Sequence, residues 1–183
     1  MPDLKWAEER PLRRAAVIFD TRYGQTQKVA EAIARGIRAQ QVSADVLKAE
    51  DVDLKSLTGY DLLAVGSPTE RLTVSPAIRQ LLGRMKGLGL AGRYGFAFET
   101  RAPHHVGVAG RHIESTLEQL GLRMRLPFRS ATVIEPKGAP RPRSPSSETE
   151  GHPLDPAEEQ ELETIGTELV QVIRGESLEQ WAR

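Results

Sequence analysis

Residues 15–19 (AAVIF) form an unbroken apolar run that stops at Asp20, the pattern of a strand covered on both faces of a parallel sheet. Beyond it Val29, Ala30, Ile33, Ala34 and Ile37 recur at helical spacing, so the intervening TRYGQT is a strand-to-helix turn. The alternation then repeats. Residues 43–47 alternate as a less buried strand, and residues 61–66 (DLLAVG) are another apolar strand. Ser75 and Pro76 supply an N-cap and a first-turn proline for a helix carrying Ile78, Leu81, Leu82 and Met85. Residues 94–98 read as the fourth strand, and Ile113, Leu117 and Leu120 mark a helix closed by Gly121. The fifth strand falls near residues 130–135. Asp155, Pro156 and Glu158 give an N-cap, an N1 proline and a capping-box acid to a last helix bearing Leu162, Ile165, Leu169 and Ile173.

Five strands alternating with helices predict an α/β fold with a doubly wound parallel sheet, because parallel neighbours need right-handed crossovers. Residues 49–59 hold only Val52, Leu54 and Leu57 as apolar support, so the second and third strands are joined by a short turn or a single helical turn. Residues 136–153 (PKGAPRPRSPSSETEGHP) combine Pro, Ser and charge and read as an exposed insertion that cannot pack a core. The expected organisation is one domain over residues 14–175, with an extension at 1–13 and a tail at 176–183. Trp6 and Trp181 are positioned to dock those appendages.

Composition narrows the chemistry. The 183 residues are 39% hydrophobic and 27% charged, without cysteine. Disulfides, thiolate zinc sites, cysteine-ligated iron–sulfur clusters and cysteine nucleophiles are therefore excluded, and redox chemistry would need a bound cofactor. Lys+Arg and Asp+Glu both total 25, which removes the basic character expected of a nucleic-acid binder. The charge is unevenly placed: from Glu148 onward ten acids face only Arg174 and Arg183, a net −8 that balances +8 on residues 1–147. No run approaches the roughly 18–20 apolar residues of a membrane span, and the opening MPDLKWAEERPLRR lacks an apolar signal core, so a cytoplasmic location is expected.

Ligands of such sheets bind beyond the carboxyl ends of the strands, where the strand order reverses. The first loop there is Thr21, Arg22, Tyr23, Gly24, Gln25 and Thr26. Two hydroxyls and a run of backbone N–H groups beside a helix N-terminus suit a phosphate dianion. The plainer alternative is a polar turn with Thr26 as N-cap. Neither a dinucleotide GxGxxG nor a GxxxxGK[ST] loop is present, so the ligand expected is a monophosphate.

The stretch AAVIFDTRYGQTQKVAEAIA resembles the opening of the flavodoxin-like superfamily, whose TxTGxT-type loop holds the phosphate of FMN. GSPTERLTVSPAIRQLL, from Gly66, is similar to the GSPT loop and following helix of flavodiiron-type flavodoxin domains. The resemblance covers about residues 14–135 and the last helix, and implies the strand order 2-1-3-4-5. It also implies that Ser67, Pro68, Thr69, Glu70 and Arg71 line one side of the isoalloxazine. The loop after the fourth strand, ETRAPHHVGVAG, would cover the other side through Glu99, Thr100, Arg101, His104, His105 and Gly107. Neither ring loop contains an aromatic residue, although rings commonly sandwich the flavin in this superfamily. One ring-on-ring contact adds about 0.5–1.5 kcal/mol, so FMN binding survives its loss. His104 and His105 are the flat side chains available, and Tyr23 can reach the ring's edge.

Three functions follow from the resemblance. The first is an FMN-binding electron carrier serving a redox partner protein. Charge speaks against a free carrier, because the chain is neutral where soluble flavodoxins are acidic; with its positive amino-terminal body, a carrier would need a partner with an acidic docking face. The second is an FMN-dependent oxidoreductase: TRYGQT also resembles the TRDGQT stretch of menaquinone-dependent protoporphyrinogen dehydrogenases, and a small quinone is the substrate class, with His104 and His105 as the candidate catalytic groups. The third is an interaction module that kept the fold and lost FMN. No metal site is expected. Thr26→Val is expected to weaken FMN binding by roughly 1–3 kcal/mol without unfolding the chain.

Overall fold

The computed structural model describes residues 11–69, 73–103, 106–133 and 154–175. They run β1 (Arg14–Phe19), α1 (Gln25–Ala39), β2 (Ser43–Lys48), β3 (Leu62–Pro68), α2 (Pro76–Arg84), β4 (Tyr94–Arg101), α3 (Val108–Gln119), β5 (Arg123–Met124), β6 (Arg129–Thr132) and α4 (Pro156–Ile173). The described strand pairs are all parallel, in the order β2-β1-β3-β4-β5, with β6 also on β4. The doubly wound sheet and its 2-1-3-4-5 order are as expected.

Alternation along the central strands divides the interior in two. Ala15, Val17 and Phe19 of β1 and Leu62 and Ala64 of β3 pack with α1 and α4. Their neighbours Ala16, Ile18, Leu63 and Val65 pack with α2 and α3. Both faces are buried, which is why these strands carry continuous apolar runs. Helices α1 and α4 approach at two glycines: a Cβ on Gly36 would stand 1.9 Å from the Glu163 carbonyl oxygen, and one on Gly166 would stand 2.1 Å from that of Ile33. Thr167 seals the crossing by donating to the Gly36 carbonyl at 3.3 Å.

Several details differ from expectation. The fifth sheet position is split: β5 pairs with Tyr94 and Gly95, and β6 with Phe98, Glu99, Thr100 and Arg101. Pro127 lies between them and has no N–H to give the ladder, so pairing lapses there. The link from β2 to β3 is two 3₁₀ turns, Ala49–Asp51 and Leu54–Gly59. Ser75 caps α2 by accepting from the Ile78 N–H at 3.4 Å, and Asp155 caps α4 by accepting from Ala157 at 2.8 Å. Glu158, however, does not turn back to close a capping box; it accepts from the Thr132 N–H of β6 at 3.1 Å and so pins α4 to the sheet edge. Leu12 is buried and the Arg13 N–H is bonded to Asp61, so packing begins ahead of β1. Trp6, Trp181, the 136–153 insertion and the 176–183 tail lie outside the described residues. No helix among those described is long and apolar enough to cross a membrane.

Candidate functional site

The chain leaves β1 for β2 on one side and later returns to β3 on the other, so the loops after β1 and β3 part at the point where the strand order reverses, the place where such sheets bind ligands. The register places Phe19 beside Gly66, Gly66 beside Phe98, Ser67 beside Glu99 and Pro68 beside Thr100. Polar burial follows this edge. Gln25, Thr26, Ser67, Ser75, Glu99 and Thr100 are buried at the carboxyl ends of the strands or in the loops just beyond, whereas Asp61 is buried at the opposite end.

In the loop after β1, Gly24 adopts φ 80°, a left-handed conformation that a side chain would strain. It stands at the N-cap position of α1 and leaves the helix without a side-chain cap, and the first turn contains no acid. Thr26 is consequently inside the helix and is not its N-cap. Its hydroxyl is buried and lies 2.8 Å from the Thr100 hydroxyl, joining this loop to the end of β4. Thr21 behaves differently: its Oγ1 is buried with no hydrogen-bond partner among the described residues. A buried orphan hydroxyl costs about 1–3 kcal/mol, and uncapped N–H groups at the head of α1 carry the positive end of the helix dipole. Together they fit a phosphate-sized dianion. Arg22 is exposed with its guanidinium 5.5 Å from the centroid of the half-buried Tyr23 ring, and Gln25 is buried in the first turn.

The described residues of the loop after β3 are held partly by one another and partly by β4. The Ser67 hydroxyl, fully buried, donates to the Pro68 carbonyl at 2.8 Å and accepts from the Ser75 N–H at 2.9 Å. The Thr69 N–H donates to the Thr100 carbonyl at 2.8 Å, and its hydroxyl donates to Glu99 Oε2 at 3.0 Å. Glu70 and Arg71 lie outside the described residues, as do His104 and His105.

At the end of β4, Glu99 is fully buried and its carboxylate also accepts from the Gly110 N–H at 2.8 Å and from the Ser130 hydroxyl. Arg101 brings Nε to 3.9 Å from Glu99 Oε1. Helix α3, like α1, starts at a glycine, Gly107, with no side-chain cap; here Glu99 meets the first-turn N–H of Gly110. A Cβ on Gly107 would come within 2.7 Å of Glu99 Oε1 and 3.0 Å of the Phe128 ring, and one on Gly110 within 2.3 Å of that ring. Phe128 thus lies against the loop that the sequence showed as lacking aromatics. Val106, in the same loop, is a large apolar side chain left 69% exposed.

The structure therefore brings Thr21, Gly24, Thr26, Ser67, Thr69, Glu99, Thr100, Arg101 and Gly107 to one edge of the sheet. Ser75, Gly110, Phe128 and Ser130 had not been singled out as site residues. Gly107 and Gly110, three apart at a helix start, were the available sign of close packing; Ser130 had none, since its partner is 31 residues away. No group of three or more His, Asp or Glu among the described residues could hold a metal ion.

The flavodoxin family model matches residues 17–128. The chain is 29% identical over 98 residues to a nitric oxide reductase of Moorella thermoacetica, a match covering 51% of this chain and 25% of the reductase. It is 28% identical over 120 residues to an NAD(P)H dehydrogenase (quinone) of Cupriavidus metallidurans, covering 52% of this chain and 60% of that relative. It thus spans only part of the length of these curated relatives. A solved flavodoxin from the domain Archaea matches with a TM-score of 0.69 at 20% identity, covering 88% of this chain and 99% of that one, a likeness of fold. With its central sheet, its divergent loops and the greater part of its length inside the family model, the chain belongs to the flavodoxin family.

Proposed function

We propose that the chain binds FMN noncovalently and acts in the cytoplasm as an electron carrier for a redox partner protein. The observation that carries this reading is the buried, unpartnered Thr21 Oγ1 beside the uncapped start of α1. In the rest of a well-packed domain such a group is costly, and a phosphate oxygen is the acceptor that would relieve it. Thr21, Arg22, Tyr23, Gly24, Gln25 and Thr26 form the phosphate loop on this reading, with backbone N–H groups and hydroxyls in place of a fixed cation. Ser67, Pro68, Thr69, Glu70 and Arg71 then bound one side of the ring, and Thr100, Arg101, His104, His105 and Gly107 the other; Glu99, expected among them, is fully buried with its carboxylate taken by Thr69, Gly110 and Ser130, and on this reading stands behind that wall. Bound FMN would supply one- and two-electron redox chemistry. The chain's part is to bind, orient and shield: the exposed Val106 offers apolar contact, and Arg101 at the end of β4 puts positive charge beside the ring.

The visible absorption spectrum of the purified protein and a titration of the flavin-free protein with FMN and with riboflavin test this reading. A yellow product that binds FMN at least about tenfold more tightly than riboflavin is expected, since only FMN engages the phosphate loop. A colourless protein that binds neither would leave the fold as an interaction module. The similarity to an NAD(P)H dehydrogenase (quinone) supports a second reading, an FMN-dependent quinone reductase in which His104 or His105 moves protons. Turnover of a small quinone that follows an imidazole titration between about pH 5.5 and 7.5, and falls in the His104→Asn, His105→Asn double variant with FMN still bound, would select it.

A further inference from the structure

Glu99 is buried completely, yet its carboxylate is reached from three separate segments. The Thr69 hydroxyl comes from the loop after β3, the Gly110 N–H from the first turn of α3, and the Ser130 hydroxyl from β6. Gly107 stays clear of it, since a Cβ there would stand 2.7 Å from Oε1. A carboxylate withdrawn from water is tolerated only where donors replace its hydration, and here they come from the loop after β3, the first turn of α3 and β6, with Arg101 Nε of β4 itself 3.9 Å from Oε1. We propose that Glu99 is the positioning residue of the flavin site, a single buried acceptor that sets the loop after β3, the start of α3 and β6 in register at the end of β4 without itself touching the ring. The proposal rests on the flavin reading above. It also explains why α3 begins without a cap of its own: its first turn is held by the same group that holds the opposite loop, so both walls of the ring site share one anchor.

The test uses the full chain with FMN and inorganic phosphate as separate probes, because Glu99 contacts the ring-side segments and not the phosphate loop. Glu99→Ala is expected to weaken FMN binding by about tenfold or more while inorganic phosphate binds as in the wild type. Glu99→Gln is expected to restore FMN affinity to within about threefold, since an amide oxygen can accept from Thr69 and Gly110 while its NH2 donates to the Ser130 oxygen. Ser130→Ala, which removes one donor from outside both ring loops, is expected to cost about threefold in FMN affinity, and it keeps the test open if Glu99→Ala does not fold. The proposal is overturned if Ser130→Ala and Glu99→Ala bind FMN like the wild type, if phosphate affinity falls together with FMN affinity, or if Glu99→Gln is as impaired as Glu99→Ala. Hydrogen exchange at the Gly110 amide reads the same anchor without flavin. Protection in the wild type and in Glu99→Gln, lost in Glu99→Ala, is the expected result, and equal exchange in all three overturns the proposal even where wild-type FMN binding has failed and sunk only the flavin reading.

Discussion

The two ends of the sheet each bury a carboxylate, and they treat the surrounding polar groups differently. At the amino end, Asp61 Oδ2 accepts from the backbone N–H groups of Arg13 and Arg14, both at 3.0 Å. Beside it Tyr60 donates its hydroxyl to Asp45 at 2.8 Å, and the Arg14 guanidinium covers the Tyr60 ring at 4.7 Å. At the carboxyl end Glu99 is as well supplied, but Thr21 Oγ1 is buried without a partner and α1 starts uncapped. One end is finished internally; the other leaves a buried hydroxyl and a helix start without protein partners among the described residues. Local satisfaction is the rule in folded chains, and the place where it lapses is where function is to be sought.

The largest expected effect comes from breaking the finished end. Asp61→Ala strips two backbone N–H groups of their acceptor and is expected to lower the unfolding free energy by about 2–4 kcal/mol in a urea titration. FMN affinity of the folded protein should stay unchanged. A variant as stable as the parent would show that water replaces the carboxylate at no cost.

Thr21→Val carries the comparison to the other end and inverts its sign. Removing an unpaired buried hydroxyl is expected to stabilise the ligand-free chain by about 0.5–1.5 kcal/mol while weakening FMN binding about tenfold. Paired thermal unfolding with and without FMN reads both quantities, and a loss of stability in the free chain would mean that Thr21 has a protein partner after all. Thr26→Val differs again. The sequence suggested a pure binding defect, but the 2.8 Å contact with Thr100 means that Val leaves a buried hydroxyl alone. Stability of the ligand-free chain is expected to fall by about 1–2 kcal/mol as well.

The smallest effect is electrostatic and lies where α4 meets the carboxyl end of β6. Burial raises the pKa of Glu158, the nearby Asp155 and Glu161 charges add to this, and the Thr132 N–H opposes it. The folded state therefore holds this proton more tightly than the unfolded chain. Its contribution to stability is greatest below the usual carboxylate range and is lost as pH rises through the raised value. Against Glu158→Gln, which keeps an acceptor for Thr132, the wild type should gain under about 1 kcal/mol on going from pH 7 to pH 4. Equal shifts of both urea midpoints would exclude the effect.

The α/β alternation, the parallel sheet and both proline-started helices were legible in the sequence because each is a local pattern. The runs AAVIF and DLLAVG are continuous only because both faces of β1 and β3 are covered, and Ser75-Pro76 and Asp155-Pro156 carry their cap geometry within two to four residues. Where the pattern was shared between elements the reading failed in detail. The plainer alternative for Thr26, an N-cap, is the one that fails: it sits inside α1, because Gly24 supplies the left-handed turn first. Glu158 has the spacing of a capping box but finds the unpaired N–H of Thr132 on the sheet edge.

Hydrophobic period and turn chemistry act over a few residues, so the alternation of strands and helices and the glycine turn after β1 can be read from the chain alone. What gathers the loop after β3, the start of α3 and β6 onto one buried carboxylate is visible only in the folded chain. Thr69, Glu99, Gly110 and Ser130 converge because β3, β4 and β6 lie side by side and α3 is laid across them. A hydrogen bond across 31 residues leaves no trace in local periodicity, because its partners are matched in space and not in spacing.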